Sequence, residues 1–542
     1  MTSNPFPRHR STAGLAGRAR STAVAAAVAT ALGVFVAPDA LSQTASASDL
    51  QTLKDQVQAL QRKIDELQRQ QEAQARAQAQ QAQTAPAPAP AAPATAPSSG
   101  PFFMAGPVKV TLGGFVELMV VNRNRNEAAD WASNFNGSIP YPNSHNYDLN
   151  EFHLTERQSR VQALAQGPDS ESWATEAYIE SDFGAAPSTG NNNESTSFSP
   201  RVRHFYADVT YKPSGFNLLF GQTWSLITGN KQGIVARGEN IPLTIDGQYV
   251  PGFDWLRVPQ VRLTEKFNDM VTVALSAENP AALVTSGASS GAPALNSMFN
   301  TVGAGNAFAP TVNITTDYLP DFVVKAAFDP GWGHYEVYGT QRFFRARNIT
   351  PFAQGNVYHS GTGFGGNMIL PLVPKMLDFQ ASILAGRGVG RYGSAQLPDA
   401  TVNPNDLGLE PLRGFQALVG LAFRPQPELT FYAYAGEEQV SSQSYFVTKG
   451  GKYYGYGYGN VLFDNSGCET EGGTACAANT SRIASGTLGG WYKFYQGSLG
   501  NAQIGLSDTY VQRQIFGSIK GGDPNTDINI LLISFRYYPY QK

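Results

Sequence analysis

The sequence predicts an all-β transmembrane barrel of about 16 antiparallel strands, preceded by an N-terminal α-helical coiled coil. From about residue 105 onward, segments of roughly ten residues alternate apolar with polar or small side chains. Short and long polar connections between these segments also alternate, as the turns and loops of a barrel do. After residue 40, no stretch approaches the roughly 18 uninterrupted apolar residues of a membrane helix. Because hydrocarbon tolerates no open sheet edge, such strands must close into a barrel.

The first 47 residues are predicted to be a signal peptide. Arginines between Arg8 and Arg20 precede an apolar run from Ala23 to Ala37, and the small residues Ala45–Ala47 follow. Cleavage is expected near Ala47, with Ser42 as the alternative. The alternative of a membrane anchor is disfavoured because the apolar run is short and a cleavage site follows it.

Residues 48–83 are predicted to form a periplasmic coiled coil. Three heptads place aliphatic residues at the a and d positions. The a positions are Leu50, Val57 and Ile64, and the d positions are Leu53, Leu60 and Leu67. A Pro/Ala-rich linker over 84–104 is expected to be stiff and extended, so that it spaces the coiled coil from the barrel over 105–542. A structural role, tethering the outer membrane to the cell wall, could coexist with any function of the barrel.

Strand candidates fill the barrel region. They are 108–122, 151–166, 172–183, 201–211, 215–224, 256–267, 270–278, 321–328, 333–346, 360–372, 376–389, 413–424, 428–438, 482–495, 501–516 and 527–540. The long connections are 123–150, 184–200, 225–255, 279–320, 347–359, 390–412, 439–481 and 517–526. Segment 225–255 carries many apolar residues, so we expect it to fold into the barrel as a constriction; packing over a neighbouring subunit is the alternative.

If the apolar positions face lipid, side chains of the opposite parity face the lumen. This parity assigns to the lumen Glu176, Glu180, Asp182, Arg262, Lys266 and Arg342, and the constriction segment adds Arg237. In the second strand, Phe152 and Leu154 point outward at even positions, but Val161 does so at an odd one. A bulge must switch the parity, and it lets both Arg157 and Arg160 face the lumen. The alternative is that these charges only brace the barrel wall as ion pairs.

Two cysteines, Cys468 and Cys476, lie eight residues apart in one loop with glycines between them, which favours a local disulfide. No metal site, cofactor or catalytic residue is predicted, because no histidines lie at ligand spacing or beside a recognisable nucleophile. We therefore expect no enzyme activity. A net charge of −3 gives no basic surface for nucleic acid.

Several motifs resemble those of the DcaP-like outer-membrane porins. They are GGFVELM at 113–119, LTERQSRV at 154–161, FGQTW at 220–224, DPGWGHYEVYG at 329–339, and YGYGN near the cysteine pair. The resemblance implies a homotrimer of sixteen-stranded barrels in the bacterial outer membrane, with a periplasmic coiled coil. It also implies uptake of dicarboxylates and other small anions through a lumen with clustered arginines, and it makes Arg157 and Arg160 lumenal.

The function expected from these observations is passive diffusion of small, dicarboxylate-like anionic solutes through an outer-membrane porin. The acidic run of Glu176, Glu180 and Asp182 weakens any strong anion preference. Alternatives are a general or saccharide-type porin and a phosphate-type anion porin, with the coiled coil acting as a tether. A saccharide porin would need aromatic side chains in the lumen rather than in the loops.

Overall fold

The computed structural model describes residues 101–131, 135–168, 170–188, 195–247, 250–302, 313–350 and 353–541. Within these residues, sixteen antiparallel strands form a closed barrel, in which every strand pairs with its chain neighbours and the last strand pairs with the first. Closure leaves no strand edge of the wall without a partner, as hydrocarbon requires. The predicted barrel and its strand number are confirmed.

The strands are numbered β1 to β16 in chain order. They are β1 Val108–Arg123, β2 in two parts Glu151–Thr155 and Arg160–Gln166, β3 Trp173–Ser188, β4 Phe198–Tyr211, β5 Phe216–Trp224, β6 Arg257–Lys266, β7 Val271–Glu278, β8 Asp321–Phe328, β9 His334–Thr350, β10 Ala353–Val373, β11 Leu377–Arg387, β12 Arg413–Gln426, β13 Leu429–Val440, β14 Thr480–Gly497, β15 Gly500–Ile515 and β16 Asn525–Tyr538.

Segment 347–359 was expected to be a loop, and that expectation is wrong. β9 continues to Thr350 and β10 starts at Ala353, with residues such as Arg347 and Asn356 paired across the hairpin. Polar side chains had suggested a loop, but an antiparallel ladder outside the bilayer needs no apolar face. These two strands therefore project beyond the rest of the wall.

Each wall strand has an apolar outer face and a covered inner face. On β8, Phe322 and Val324 are exposed on the outside, whereas Val323 and Lys325 are buried inside. β6 behaves in the same way, with Val261 outside and Arg262 inside. The sequence parity is thus confirmed on these strands.

β2 is interrupted by a bulge. Between the pairs Phe115–Arg160 and Met119–Thr155, β2 has one residue more than β1, which switches the parity as predicted. Gly114 lies opposite the bulge with a φ of +117°, and a Cβ there would come 2.1 Å from the Arg160 carbonyl oxygen. Glycine is therefore required where the bulged strand crosses β1 so closely.

A second bulge lies in β4. Glu180 pairs with His204 while Ser181 pairs with Val202, so Arg203 is an extra residue. As a result Arg203 and His204, although adjacent in sequence, are both buried in the barrel. The two bulges together concentrate arginines on one side of the lumen.

Three long connections fold into the barrel and share one apolar core with its inner wall. The 124–150 connection contributes Trp131 and Phe135, the 225–256 connection contributes Ile245 and Phe253, and the 388–412 connection contributes Leu397. A short helix, Phe135–Ser138, and a 3₁₀ turn, Gly390–Tyr392, occur in the first and third of these. The predicted inward folding of segment 225–255 agrees with this packing.

The remaining loops carry two further features. Cys468 and Cys476 form the expected disulfide. The 441–479 connection contains a hairpin of strands Gln443–Lys449 and Lys452–Tyr458, whose Tyr456 and Tyr458 are buried. These two tyrosines pack within the loop, whereas Tyr453 of the same hairpin is exposed.

The predicted signal peptide and coiled coil lie outside the described residues, as does most of the predicted linker. Its last residues, Phe102–Ala105, form a short strand that pairs with the start of β1. Among the described residues, no helix has the length and apolar character needed to cross a membrane.

Val324→Lys should destabilise the barrel, because it places a charge on the lipid-facing side of β8. We expect the free energy of unfolding to fall by about 2–4 kcal/mol. Urea unfolding in phospholipid vesicles, followed by tryptophan fluorescence, measures it. Val324→Leu is the control and should stay within about 0.5 kcal/mol of the wild type. Equal stability of the lysine variant would mean that this face does not meet hydrocarbon.

Candidate pore-lining site

Five alternating charges form a row across β2, β3 and β4, which we call the arginine ladder: Arg160, Glu180, Arg203, Asp182 and Arg201. Arg203 bridges the two acids, with its Nε 2.5 Å from Glu180 and its Nη1 3.0 Å from Asp182. Arg201 makes a bidentate contact to Asp182 at 2.9 and 2.6 Å. At the other end, Arg160 lies 3.6 Å from Glu180. The row thus contains three cations for two anions.

The ends of the ladder are open to the lumen and its acids are not. The side chains of Arg160 and Arg201 are each 28% exposed, whereas those of Glu180 and Asp182 are 9% and 1% exposed. The two end arginines therefore keep part of their side-chain surface accessible, while the carboxylates face protein. Paired acids reduce the net charge of the row without hiding its cationic ends.

Further arginines surround the ladder. Arg257 lies over the Trp224 ring at 4.5 Å and is repelled by Arg203, Arg201 and Arg160. Arg536 of β16 lies 3.0 Å from Glu117 of β1. The wall from β16 to β6 is consequently dense in positive charge.

Arg157 lies in the β2 bulge and is held from several sides. Its Nη1 is 3.0 Å from Asp130, and its Nε and Nη2 donate to the carbonyl oxygens of Phe183 and Ala185. Its guanidinium also lies 4.0 Å from the centre of the Phe198 ring. Burial opposes ionisation of Asp130, but hydrogen bonds from His153 and Arg157 outweigh it and lower the pKa of that acid. Arg157 therefore faces the lumen but has a neutralising partner.

The 225–256 connection, which we call the lumen loop, crosses the barrel from this wall to the opposite one. On the ladder side, Arg237 binds Glu176 of β3 at 2.6 Å and Tyr206 of β4 at 3.1 Å. Further along, the indole of Trp491 in β14 donates to the Leu243 carbonyl oxygen at 2.7 Å. Contacts on both sides fix the loop across the lumen.

Buried charges on β7, β8 and β9 anchor the start of the loop. Glu278 of β7 accepts hydrogen bonds from the Ser225 hydroxyl at 2.7 Å and the Leu226 amide at 2.8 Å. Lys325 of β8 donates to the Thr228 carbonyl oxygen at 2.8 Å and pairs with Glu336 of β9 at 2.9 Å. Removing such charges from water is costly, so each is retained with a partner.

Asp254 holds the end of the loop against β9. The Tyr338 hydroxyl donates to its Oδ2 at 2.9 Å. Burial, reinforced by the nearby carboxylates of Glu438 and Glu336 and opposed by Lys325, raises the pKa of Asp254 to about 7. Burial therefore favours the protonated acid, although the Tyr338 hydrogen bond favours the carboxylate.

Little space remains between the loop and the β10–β11 wall. A cavity there has a volume of about 30 Å³, and amide side chains such as Asn240, Asn367 and Gln380 line it. That volume holds about two water molecules.

The other predicted lumenal residues lie apart from the ladder. Arg342 is buried between Asp321 at 3.1 Å and Asp399 at 2.7 Å, where it secures the 388–412 connection. Arg262 is buried and donates to the Trp224 carbonyl oxygen. Lys266 is at the end of β6 and pairs with Asp269 of the adjacent turn. All three side chains therefore have ion-pair or hydrogen-bond partners within the protein.

Sequence reasoning missed four arginines of this wall: Arg201, Arg203, Arg257 and Arg536. A signal for two of them is present in RVRHF, where the outward residues Val202 and Phe205 are three apart. That odd spacing requires a parity switch, as in β2. Arg257 and Arg536 had no such signal, because both lie near strand ends.

The fold is shared with solved outer-membrane channels. The outer membrane channel DcaP of Acinetobacter baumannii matches at 16% identity over 81% of this chain and 99% of that chain, with a TM-score of 0.55. OmpT of Vibrio cholerae matches at 11% identity over 81% and 100% of the two chains, with a TM-score of 0.42. An anion-selective porin from Comamonas acidovorans matches at 9% identity over 80% and 99%, with a TM-score of 0.41. At these identities the likeness concerns the fold, and only the first match is close enough to support an argument.

No model of a protein family matches this chain, and no curated protein matches it either.

Raising the pH should weaken attachment of the lumen loop through Asp254. Its folded-state pKa lies above the ordinary value of 3.8, so its stabilising contribution is complete below about pH 4 and is lost as the pH rises through about 7. We expect hydrogen-exchange protection of residues 250–256 to fall by about 1–3 kcal/mol between pH 5 and pH 8. Asp254→Asn keeps the shape without the charge and should remove the Asp254 share of that dependence; Glu438, which accepts a hydrogen bond from the Gly252 amide at 2.9 Å, keeps its own share. An unchanged pH dependence in the variant would assign it to another group.

Proposed function

We propose that this protein is an outer-membrane porin for passive diffusion of small anionic, dicarboxylate-like solutes. The observation that carries the proposal is the arginine ladder, whose two cationic ends are open to the lumen while its two acids are covered. A passing anion meets guanidinium donors first, and these form charge-assisted hydrogen bonds with carboxylates. Because each guanidinium already shares its charge with an acid, the anion is attracted but also released, as conduction requires.

The spacing of the ladder suits solutes with two carboxylates. Glu180 and Asp182 are two residues apart on one face of β3, which corresponds to about 7 Å. Arg160 and Arg201 bind the outer sides of these acids. Two cationic points on one wall attract a dianion more strongly than a monoanion. A phosphate-type anion would engage one end only.

The lumen loop supports a limit on solute size. It occupies the centre of the barrel and shares an apolar core with the 124–150 and 388–412 connections. Passage is thereby restricted to the ladder side. Small solutes fit this arrangement better than large ones.

The outer membrane is the proposed location, with the barrel's apolar outer face in lipid and the N-terminal coiled coil in the periplasm. The barrel shared with the DcaP channel supports this location at the level of fold. A homotrimer, with the coiled coil available to engage the cell wall, is proposed from the resemblance of the motifs. A cofactor, a metal or an enzymatic step forms no part of the proposal.

A saccharide porin is the second candidate, and the positions of the aromatic residues disfavour it. Sugar rings need exposed aromatic faces, but Trp131, Trp224 and Trp491 are all buried in the lumenal core. In the loop hairpin, Tyr456 and Tyr458 are buried as well, whereas Tyr453 is exposed and stacks on Phe446 in the loop, not on the barrel wall.

Replacing both exposed ends of the ladder should reduce anion preference. We expect Arg160→Gln/Arg201→Gln to lower the anion-to-cation permeability ratio by about tenfold, because two lumenal cations are lost next to acids that remain. Reversal potentials in planar bilayers under a salt gradient measure this ratio. Lys520→Gln, which changes an exposed loop lysine, is the matched control and should leave it unchanged.

The same bilayer measurement on the wild-type protein decides between the remaining functions. Cation preference or no selectivity would favour a general or saccharide porin. Absence of any conductance would favour a structural tether over a pore.

A further inference from the structure

The outer face of β9 and β10 changes in character toward its long-loop end. Val337 and Phe364, in the apolar band, are 67% and 69% exposed. Gln341, four residues beyond Val337, and Thr362, two residues before Phe364, are hydrogen-bonded to each other at 2.9 Å. Past this polar pair the same face continues, because outward positions repeat every second residue. The pair therefore marks the upper edge of the apolar band.

Aromatic rings come next on this face. Tyr318, in the segment before β8, lies 4.8 Å from the Tyr358 ring and 6.1 Å from the Phe343 ring. Tyr318 and Tyr358 are 41% and 51% exposed. Amphipathic rings with exposed hydroxyl ends are typical of the boundary between hydrocarbon and headgroups.

Two arginines follow on this face, Arg345 at the level of Tyr358 and Arg347 beyond it. Arg345 pairs with Tyr358 across the β9–β10 hairpin, and Arg347 pairs with Asn356. Arg345 donates from Nε to the Thr316 carbonyl oxygen, and its guanidinium lies 5.7 Å from the Tyr318 ring centre. Arg347 donates from Nη1 to the Asn356 side chain at 3.3 Å. Both guanidiniums therefore have neutral oxygens as their hydrogen-bond acceptors.

No ion pair involves Arg345 or Arg347 within the part of the chain that the structure describes. A contrasting outward arginine occurs on β14, where Arg482 is paired with Glu437 of β13. Guanidinium groups without a carboxylate retain donors for an external anion. Phosphate is the anion whose geometry they match best, through two parallel hydrogen bonds.

We propose that Arg345 and Arg347, with Tyr318 and Tyr358, bind the phosphorylated headgroup of lipopolysaccharide in the outer leaflet. The order along the face matches the order of such a lipid: acyl chains against Val337 and Phe364, and the phosphorylated sugar region against the tyrosines and arginines beyond them. The inference rests on the proposed outer-membrane location. It is independent of solute selectivity, because these residues point away from the lumen.

The test compares lipopolysaccharide binding by the refolded full chain and its variants in detergent. Purified lipopolysaccharide is titrated, and binding is measured as the increase in the unfolding temperature. We expect Arg345→Gln/Arg347→Gln to weaken binding by about 30-fold, since each interfacial cation contributes about fivefold. Arg482→Gln, the matched control at a neutralised outward arginine, should change binding less than twofold.

Two further ligands test whether the site recognises the phosphate groups of the lipid. Dephosphorylated lipopolysaccharide should bind the wild type at least as weakly as native lipopolysaccharide binds the double variant. Inorganic phosphate at equal concentration should not compete. Equal binding of the dephosphorylated lipid, or full competition by inorganic phosphate, would overturn the proposal; the latter would leave a simple anion site.

Arg347→Gln alone guards against misfolding of the double variant, because only the Asn356 contact is described for this side chain. It should weaken binding about fivefold. Conductance of the same wild-type preparation separates the two proposals. A conducting barrel that gains no stability from lipopolysaccharide overturns the headgroup site alone, and a barrel that binds it without conducting overturns the pore alone.

Discussion

The alternation of side chains along a closed antiparallel sheet is the constraint on which the other features depend. Closure fixes an inside and an outside for every strand, because neighbouring strands hold one another in register. In a regular strand only every second residue can reach the lumen. A bulge changes that rule locally, and this chain has one in β2 and another in β4. Their insertion lets Arg157 and Arg160 of RQSR share one face, and likewise the adjacent Arg203 and His204, which simple alternation would forbid.

The lumen combines two kinds of buried charge with different consequences. Glu278, Lys325 and Arg342 are buried with full sets of partners and hold loops in position. The arginine ladder is also paired, but its end members keep part of their surface in water. Ion pairing by itself therefore does not distinguish bracing from function. The distinction comes from which groups of the network are exposed: in the arginine ladder, only positively charged side chains are.

The sequence predicted what depends on periodicity and was less informative about what depends on packing. All sixteen wall strands, the β2 parity switch and the disulfide follow from local patterns. The extended ends of β9 and β10 were read as a loop because their side chains are polar on both faces, although cross-strand pairing suffices there. Arg342 illustrates the other limit: parity correctly placed it inside, but only the approach of Asp399 from a distant connection determines that it is a brace. Arg203 required a second bulge to be recognised from the spacing of Val202 and Phe205.

The apolar core shared by three loops and the inner wall has a consequence for assembly. The seam between β16 and β1 is itself in contact with these loops, since Arg536 donates to the Ile245 carbonyl oxygen and Thr526 to that of Pro140. Phe135, Phe253 and Leu397 would be exposed to water if the barrel closed while the loops were outside. Once the seam is paired, bulky loops cannot easily be threaded into a filled interior. Loop entry and seam closure are therefore coupled events, and the order in which the chain inserts is constrained by the contents of its own lumen.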